Sequence, residues 1–149
     1  MSETRAMLAE TADRLFADLS AQAEFPRRWA PFAEAGFPSV LIPEEAGGFG
    51  GDWGDAFAVL RLAGFHALAL PVGETILATL LLHRAGLDRP EGALSFAATC
   101  SGRIESGHFT GTLAGVPFGR DATALVAMLD GRLLLLDRRS EERRVGKEC

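Results

Sequence analysis

The feature that most constrains this chain is a change of apolar period near residue 90. Before it, large apolar residues recur at helical spacing; after it, they come in short runs broken by Gly, Pro and Asp. A single helical bundle cannot accommodate the second pattern, nor a single sheet the first. The change falls at Asp88-Arg-Pro-Glu-Gly92, where proline and glycine punctuate a polar stretch. The sequence therefore predicts an α+β chain, with an N-terminal helical bundle over residues 1–90 followed by an incomplete antiparallel β domain over residues 91–138.

Within residues 2–22, Leu8, Leu15, Phe16 and Leu19 mark one stripe of a first helix. A second, over residues 26–35, starts favourably with Pro26, places Trp29, Phe32 and Ala33 on one face, and stops where Gly36 can turn left-handed, although Pro31 weakens its second turn. Val40-Leu-Ile-Pro43 reads as extended because residues before proline avoid the helical region. The following Glu44-Glu-Ala-Gly-Gly-Phe-Gly-Gly51 reads as a loop. Asp52 is placed to cap a third helix through Phe57, Val59, Leu60 and Ala63, ending near Leu70-Pro71. A fourth, over residues 73–84, turns Ile76, Leu77, Leu80 and Leu81 inward, stops at Gly86, and is apolar nearly all round, the pattern of a buried helix. Trp29, Phe32, Phe37, Phe49, Trp53 and Phe57 are spaced as core residues bridging the second helix to the third. Strands are expected over residues 93–99, 106–113, 122–129 and 132–136, with Asp130-Gly131 as the strongest hairpin signal and an unpaired edge on the last strand.

Composition narrows the function. Hydrophobic residues make up 48% of the 149, enough for a core, and the net charge of -5 offers no positive surface to phosphates, so nucleic acid is not an expected partner. Residues 56–82 are apolar, but Arg61, His66, Pro71 and Glu74 interrupt them too often for a membrane span, and the first ten residues lack the apolar stretch of a signal peptide. Two cysteines, Cys100 and Cys149, are too few for a disulfide scaffold, which fits a reducing, cytoplasmic setting.

Candidate chemistry is sparse. Gly47-Gly-Phe-Gly-Gly51 matches neither dinucleotide nor P-loop spacing, and Glu44 and Glu45 would repel phosphate from it, so a structural turn outranks a nucleotide cradle. Those two adjacent carboxylates point apart in an extended loop, poor geometry for a shared proton. His66, His83 and His108 lack metal-ligand spacing, no G-x-S-x-G elbow occurs, and Cys100 has no nucleophile context. No catalytic residue and no metal ligand is assigned.

The stretch Trp29-Ala-Pro-Phe-Ala-Glu-Ala-Gly-Phe-Pro-Ser-Val-Leu-Ile-Pro-Glu-Glu-Ala-Gly-Gly-Phe-Gly-Gly51 resembles the N-terminal helical domain of acyl-CoA dehydrogenases, where a helix ending in Ala-Gly leads into Pro-Glu-Glu-x-Gly-Gly-x-Gly. Residues 55–75 resemble the family's next helix and its following junction, and residues 111–126 a stretch of its middle β domain; the likeness spans about residues 4–138. It implies a flavoenzyme that removes a proton and a hydride from an acyl-CoA thioester and passes the hydride to FAD, in a homo- or hetero-oligomer. The family's catalytic base and much of its FAD surface belong to a C-terminal helical domain that this sequence does not contain. Its flavin-side pattern, Thr-Glu-Pro-x-x-Gly-Ser-Asp, is replaced by Phe96-Ala-Ala-Thr-Cys-Ser101. There Thr99 and Ser101 can offer hydroxyls to a flavin or an acyl carbonyl, though Cys100-Ser-Gly102 reads more readily as a turn.

Lys147 is the only lysine, and residues 139–149 resemble the one-frame translation of a sequencing adapter, which implies read-through beyond a truncated gene. The expectation is a fragment inactive as it stands. Its rivals are a non-catalytic subunit of a heteromeric dehydrogenase, and a small module that binds partners through the helix over residues 73–84.

Overall fold

The computed structural model describes residues 2–137; the segment likened to an adapter lies outside them. Four helices come first: α1 (Glu3–Ser20), α2 (Phe25–Glu34), α3 (Trp53–Phe65) and α4 (Val72–Arg84). Five strands follow: β1 (Leu94–Phe96), β2 (Thr99–Glu105), β3 (His108–Ala114), β4 (Ala124–Leu129) and β5 (Arg132–Asp137). The predicted order of helices then strands is the observed one.

The Ser2 hydroxyl accepts the Arg5 N–H and starts α1, which buries Leu8, Ala12, Phe16 and Leu19. Phe16, Phe32 and Phe37 form an aromatic knot, with centroids 5.2 Å apart for Phe16–Phe37 and 5.6 Å for Phe32–Phe37. Gly36 takes the left-handed position after α2 at φ 83°, as its place in the sequence predicts. The extended run expected over residues 40–43 does not form, although Pro43 itself is extended at φ -57°, ψ 149°. The chain makes two 3₁₀ turns, Phe37–Ser39 and Glu44–Ala46, and Val40 is helical at φ -58°, ψ -34°. Pro43 restricts only the residue before it, so the rule that predicted an extended run was carried two residues too far, to Val40 and Leu41.

The third helix also ends earlier than expected. The Leu68 N–H returns to the Ala63 carbonyl and the Ala67 N–H to Gly64, a Schellman closure in which Ala67 holds φ 49°. α4 ends in the same way, with Gly86 at φ 70° and the Leu87 N–H on the Leu82 carbonyl. The expected aromatic bridge between α2 and α3 does not form. Phe32 and Phe37 are buried, but Phe49, Trp53 and Phe57 are exposed, because α3 turns its Ala56, Val59, Leu62 and Ala63 face to the core instead.

The β residues form two sheets. β1, β4 and β5 make one, with β1 parallel to β4 and β5 antiparallel to it, so this sheet is mixed where antiparallel strands were expected. β2 and β3 form an antiparallel hairpin. Cys100-Ser-Gly102 is strand and not turn; the reversal comes at Ser106-Gly107, with φ 50° and 74°. Gly102 sits opposite Gly111, and a Cβ on it would stand 2.3 Å from the Thr110 carbonyl oxygen, so this glycine serves a close strand approach. Asp130-Gly131 does form the predicted hairpin, with φ 49° and 76°.

α4 holds the two units together. Val72 and Ile76 join the helical core, while Ala78 and Leu82 pack with Leu94, Ala124 and Val126 of the sheet. Spent on both cores, this helix has no apolar face left for the partner-binding role considered from sequence. Thr75, fully buried, donates its hydroxyl to the Leu94 carbonyl at 2.9 Å and accepts the Leu94 N–H at 3.2 Å. Arg89 adds a second tie, to Thr79 Oγ1 and the Gly92 carbonyl, and burial lowers its pKa. Replacing Thr75 by Val strands two buried backbone groups and should cost about 1 to 3 kcal/mol, whereas Thr75→Ser should keep most of the stability. Chemical denaturation of the two variants compares them directly.

Candidate functional site

Two regions carry the residues singled out from sequence: the glycine-rich loop before α3 and the outer face of the β2–β3 hairpin. In the loop, every main-chain donor from Gly47 to Gly51 is engaged. Gly47 donates to the Glu44 carbonyl, Gly48 to Pro43 (3.0 Å), Phe49 to Ser39 (3.0 Å), Gly50 to Ile42 (2.7 Å) and Gly51 to Val40 (2.8 Å). No N–H is left to cradle a phosphate, and Glu44 and Glu45 stand exposed beside a shallow groove formed with Leu41, Pro43, Gly50 and Gly51. Two of the glycines, Gly48 and Gly51, answer to crowding by main chain. A Cβ on Gly48 would lie 2.1 Å from the Ile42 carbonyl oxygen, and one on Gly51 2.7 Å from that of Val40.

The loop delivers the chain to α3 through a capping box. Asp52 accepts the Asp55 N–H at 3.0 Å, and the Asp55 carboxylate accepts the Asp52 N–H at 2.9 Å. Arg5, reaching over from α1, donates to Asp55 at 2.8 Å and to both Asp52 oxygens at 2.6 and 2.8 Å. Its guanidinium lies where a Gly54 side chain would be, 2.7 Å from the Cβ position. At the other end of α3, His66 Nε2 meets Asp13 Oδ1 at 2.7 Å, so α1 is tied to both ends of α3. Sequence reading placed Asp52 correctly but missed Arg5 and Asp55, because their meeting depends on a contact fifty residues apart. His66, His83 and His108 do not converge, and no group of three His, Cys, Asp or Glu side chains able to hold a metal occurs among the described residues.

The Asp52 carboxyl is held below its ordinary value of 3.8, chiefly by the Asp55 N–H and then by Arg5. A depressed carboxyl stabilises the fold fully above its unfolded pKa and loses that contribution as pH falls through the folded one. Melting temperature should therefore fall off as pH drops below about 4, and Asp52→Asn should flatten that acid limb in a pH series of thermal melts. Gly48→Ala should cost about 2 to 4 kcal/mol, since backbone and not a flexible side chain must move; urea titration gives the value.

On the hairpin, the strand register sorts the side chains into two faces. Thr99, Ser101, Arg103, Thr110 and Thr112 share one face; Cys100, Ile104, Phe109 and Leu113 share the other. The first face is exposed, and the hydroxyls of Thr99, Ser101, Thr110 and Thr112 make no hydrogen bond among the described residues, while Arg103 pairs with Glu105 at 3.1 Å. Sequence reading found Thr99 and Ser101 but not Thr110 and Thr112, which only the register brings alongside.

A family model described as "Acyl-CoA dehydrogenase, N-terminal domain" matches residues 1–88. The chain belongs to the acyl-CoA dehydrogenase family. No curated protein sequence matches it. Two solved structures share its fold. A variant of the Tcur3481-Tcur3483 steroid ACAD aligns with a TM-score of 0.70 at 24% identity, covering 91% of this chain and 48% of that one. The ChsE4-ChsE5 complex from Mycobacterium tuberculosis aligns with a TM-score of 0.68 at 22% identity, covering 92% and 48%. The chain thus spans about half the length of the acyl-CoA dehydrogenase-like structures it resembles.

Acyl-CoA dehydrogenases are in general FAD-dependent, and the residues present can be tested against that group. The hairpin face offers unspent hydroxyls suited to one polar edge of a flat ring. The glycine loop has no free main-chain donor to add, and the groove beside it is acidic. The described residues fit an edge contact and do not form a whole flavin seat. No helix among them is long and apolar enough to cross a membrane.

Proposed function

We propose that this chain supplies the N-terminal helical scaffold and opening strands of an FAD-dependent acyl-CoA dehydrogenase acting on an acyl-CoA thioester in the cytoplasm, and that alone it does not carry out dehydrogenation. The observation that carries this reading is the fused architecture: the helical unit that matches the family is locked to its sheet through Thr75 and Leu94. FAD, when bound, accepts the substrate hydride. The role assigned to this chain is positional: Thr99 and Ser101 donate hydrogen bonds to an edge of the flavin or to the acyl carbonyl, and the enclosing walls and the carboxylate base come from elsewhere in the assembly.

A second reading is favoured by a specific observation. One structural neighbour is named as a complex of two components, ChsE4 and ChsE5. A non-catalytic subunit of a heteromeric dehydrogenase would need the scaffold and not the flavin pattern, and Phe96-Ala-Ala-Thr-Cys-Ser101 departs from that pattern. The other neighbour is named as a steroid ACAD, so steroid acyl-CoA thioesters are the first substrates to try.

Purified alone, the chain should be colourless and should reduce no artificial electron acceptor with acyl-CoA. Flavin absorbance should appear only in an assembly with a catalytic partner or a longer gene product. In that assembly Thr99→Val with Ser101→Ala should weaken flavin retention about tenfold if the edge contact is made, each lost hydrogen bond being worth about 0.5 to 1.5 kcal/mol. Unchanged retention favours the non-catalytic subunit. Stoichiometric flavin on the isolated chain would refute both readings.

A further inference from the structure

Arg89 stands where the chain leaves α4 for β1. Pro90 disfavours the helical region for it, and its side chain folds back to α4. There Nε donates to Thr79 Oγ1 at 3.0 Å and Nη2 to the Gly92 carbonyl at 3.0 Å. Both acceptors are themselves held. Thr79 is buried on α4, and the Thr123 hydroxyl donates to the carbonyls on either side of Gly92, Glu91 at 2.7 Å and Ala93 at 3.2 Å.

These two bonds use the side edge of the guanidinium, which Nε shares with Nη2. A guanidinium has five N–H donors in a rigid plane, and its terminal edge, where an N–H of Nη1 runs parallel to the second N–H of Nη2, is unspent among the described residues. No buried side-chain nitrogen or oxygen among those residues lacks a partner, so the unspent nitrogen reaches solvent. The charge has no counter-ion either. Burial lowers the Arg89 pKa and no carboxylate raises it, the reverse of Arg5, whose pKa is raised first by its hydrogen bond to Asp55. Asp88 and Glu91 are exposed to either side in sequence, and neither makes an ion pair with Arg89. A cation partly withdrawn from water and left unpaired costs stability, which a correctly shaped anion restores.

Two parallel N–H bonds match the two oxygens of one carboxylate. They match phosphate as well, but a dianion brought between Asp88 and Glu91 meets about twice the repulsion of a monoanion. We propose that Arg89 anchors a carboxylate-binding site at the junction of helix and sheet, its side edge fixed by Thr79 and Gly92 and its terminal edge open to the ligand. The inference goes beyond the dehydrogenase reading and does not depend on it. Because the guanidinium is bonded to α4 on one side and to the turn into β1 on the other, a bound carboxylate stabilises the junction itself.

The test is a titration of the full ¹⁵N-labelled chain with sodium acetate, exchanged for sodium chloride at constant ionic strength from about 0.1 to 200 mM, following the arginine Nε–H resonances. The Arg89 resonance should saturate at about tenfold lower acetate than that of Arg61, an exposed arginine with no such fixed acceptors, and the melting temperature should rise with the same midpoint. Arg89→Lys keeps the charge and loses the fork, so it should remove the acetate-dependent rise while circular dichroism stays unchanged. The midpoint identifies the source of the carboxylate. Saturation near or below about 1 mM assigns a small free carboxylate; saturation near about 10 mM assigns a side chain presented by other polypeptide, where tethering supplies the concentration. Equal response of Arg89 and Arg61 means an adventitious ion only and overturns the proposal. So does phosphate binding as well as acetate, an acetate effect that survives Arg89→Lys, or an Arg89 resonance that moves on Asp88→Asn or Glu91→Gln, which would show that the chain fills the fork from its own turn.

Discussion

The structure turns on one buried helix between two cores. α4 gives Val72 and Ile76 to the helical cluster and Ala78 and Leu82 to the sheet, and an apolar surface on all sides is stable only where it is covered on all sides. The β1–β4–β5 sheet rests on that wedge, because β1 is three residues long and gains its place from the helix beneath it and from the strand beside it. Thr75 supplies the buried polar contact at the centre of this boundary, with Arg89 tying its margin to Thr79 and Gly92. The single Thr75 hydroxyl meets both the donor and the acceptor of Leu94, so a side chain stands in for a neighbouring strand.

Much of this was legible because it is local. Asp52 as a cap, Gly36 and Gly86 as left-handed stops, and Asp130-Gly131 as a hairpin are settled by residues within four positions of one another, and all form as expected. What escaped was set at a distance. β2 was hidden because Gly102 imitates a turn residue until Gly111 is placed opposite it. Ala67 gives no hint that it will take a conformation costly for a side chain, since the need arises from where Leu68 and Leu70 are buried.

The candidate site was half legible for the same reason. Thr99 and Ser101 lie two apart on one strand and announce a shared face, but the opposing Thr110 and Thr112 are brought there only by the pairing of β2 with β3. Arg5 was likewise invisible: nothing near it in sequence foretells that it will bridge Asp52 and Asp55, the pair that turns the loop into a helix start. The aromatic residues misled for a different reason. Phe49, Trp53 and Phe57 have the size of core residues, and burial cannot be inferred from size when a helix carries small residues such as Ala56 and Ala63 on its inner side.

The glycine loop reverses a habit of motif reading. Its donors all return to Val40–Ile42 and neighbouring carbonyls, and its missing side chains make room for main chain running past at contact distance. Such a string is an imprint of how two strands of polypeptide lie against each other, and it would be written the same way in a relative that catalyses nothing. Among chains of this architecture, then, its presence certifies shape and leaves reactivity to be established from other residues.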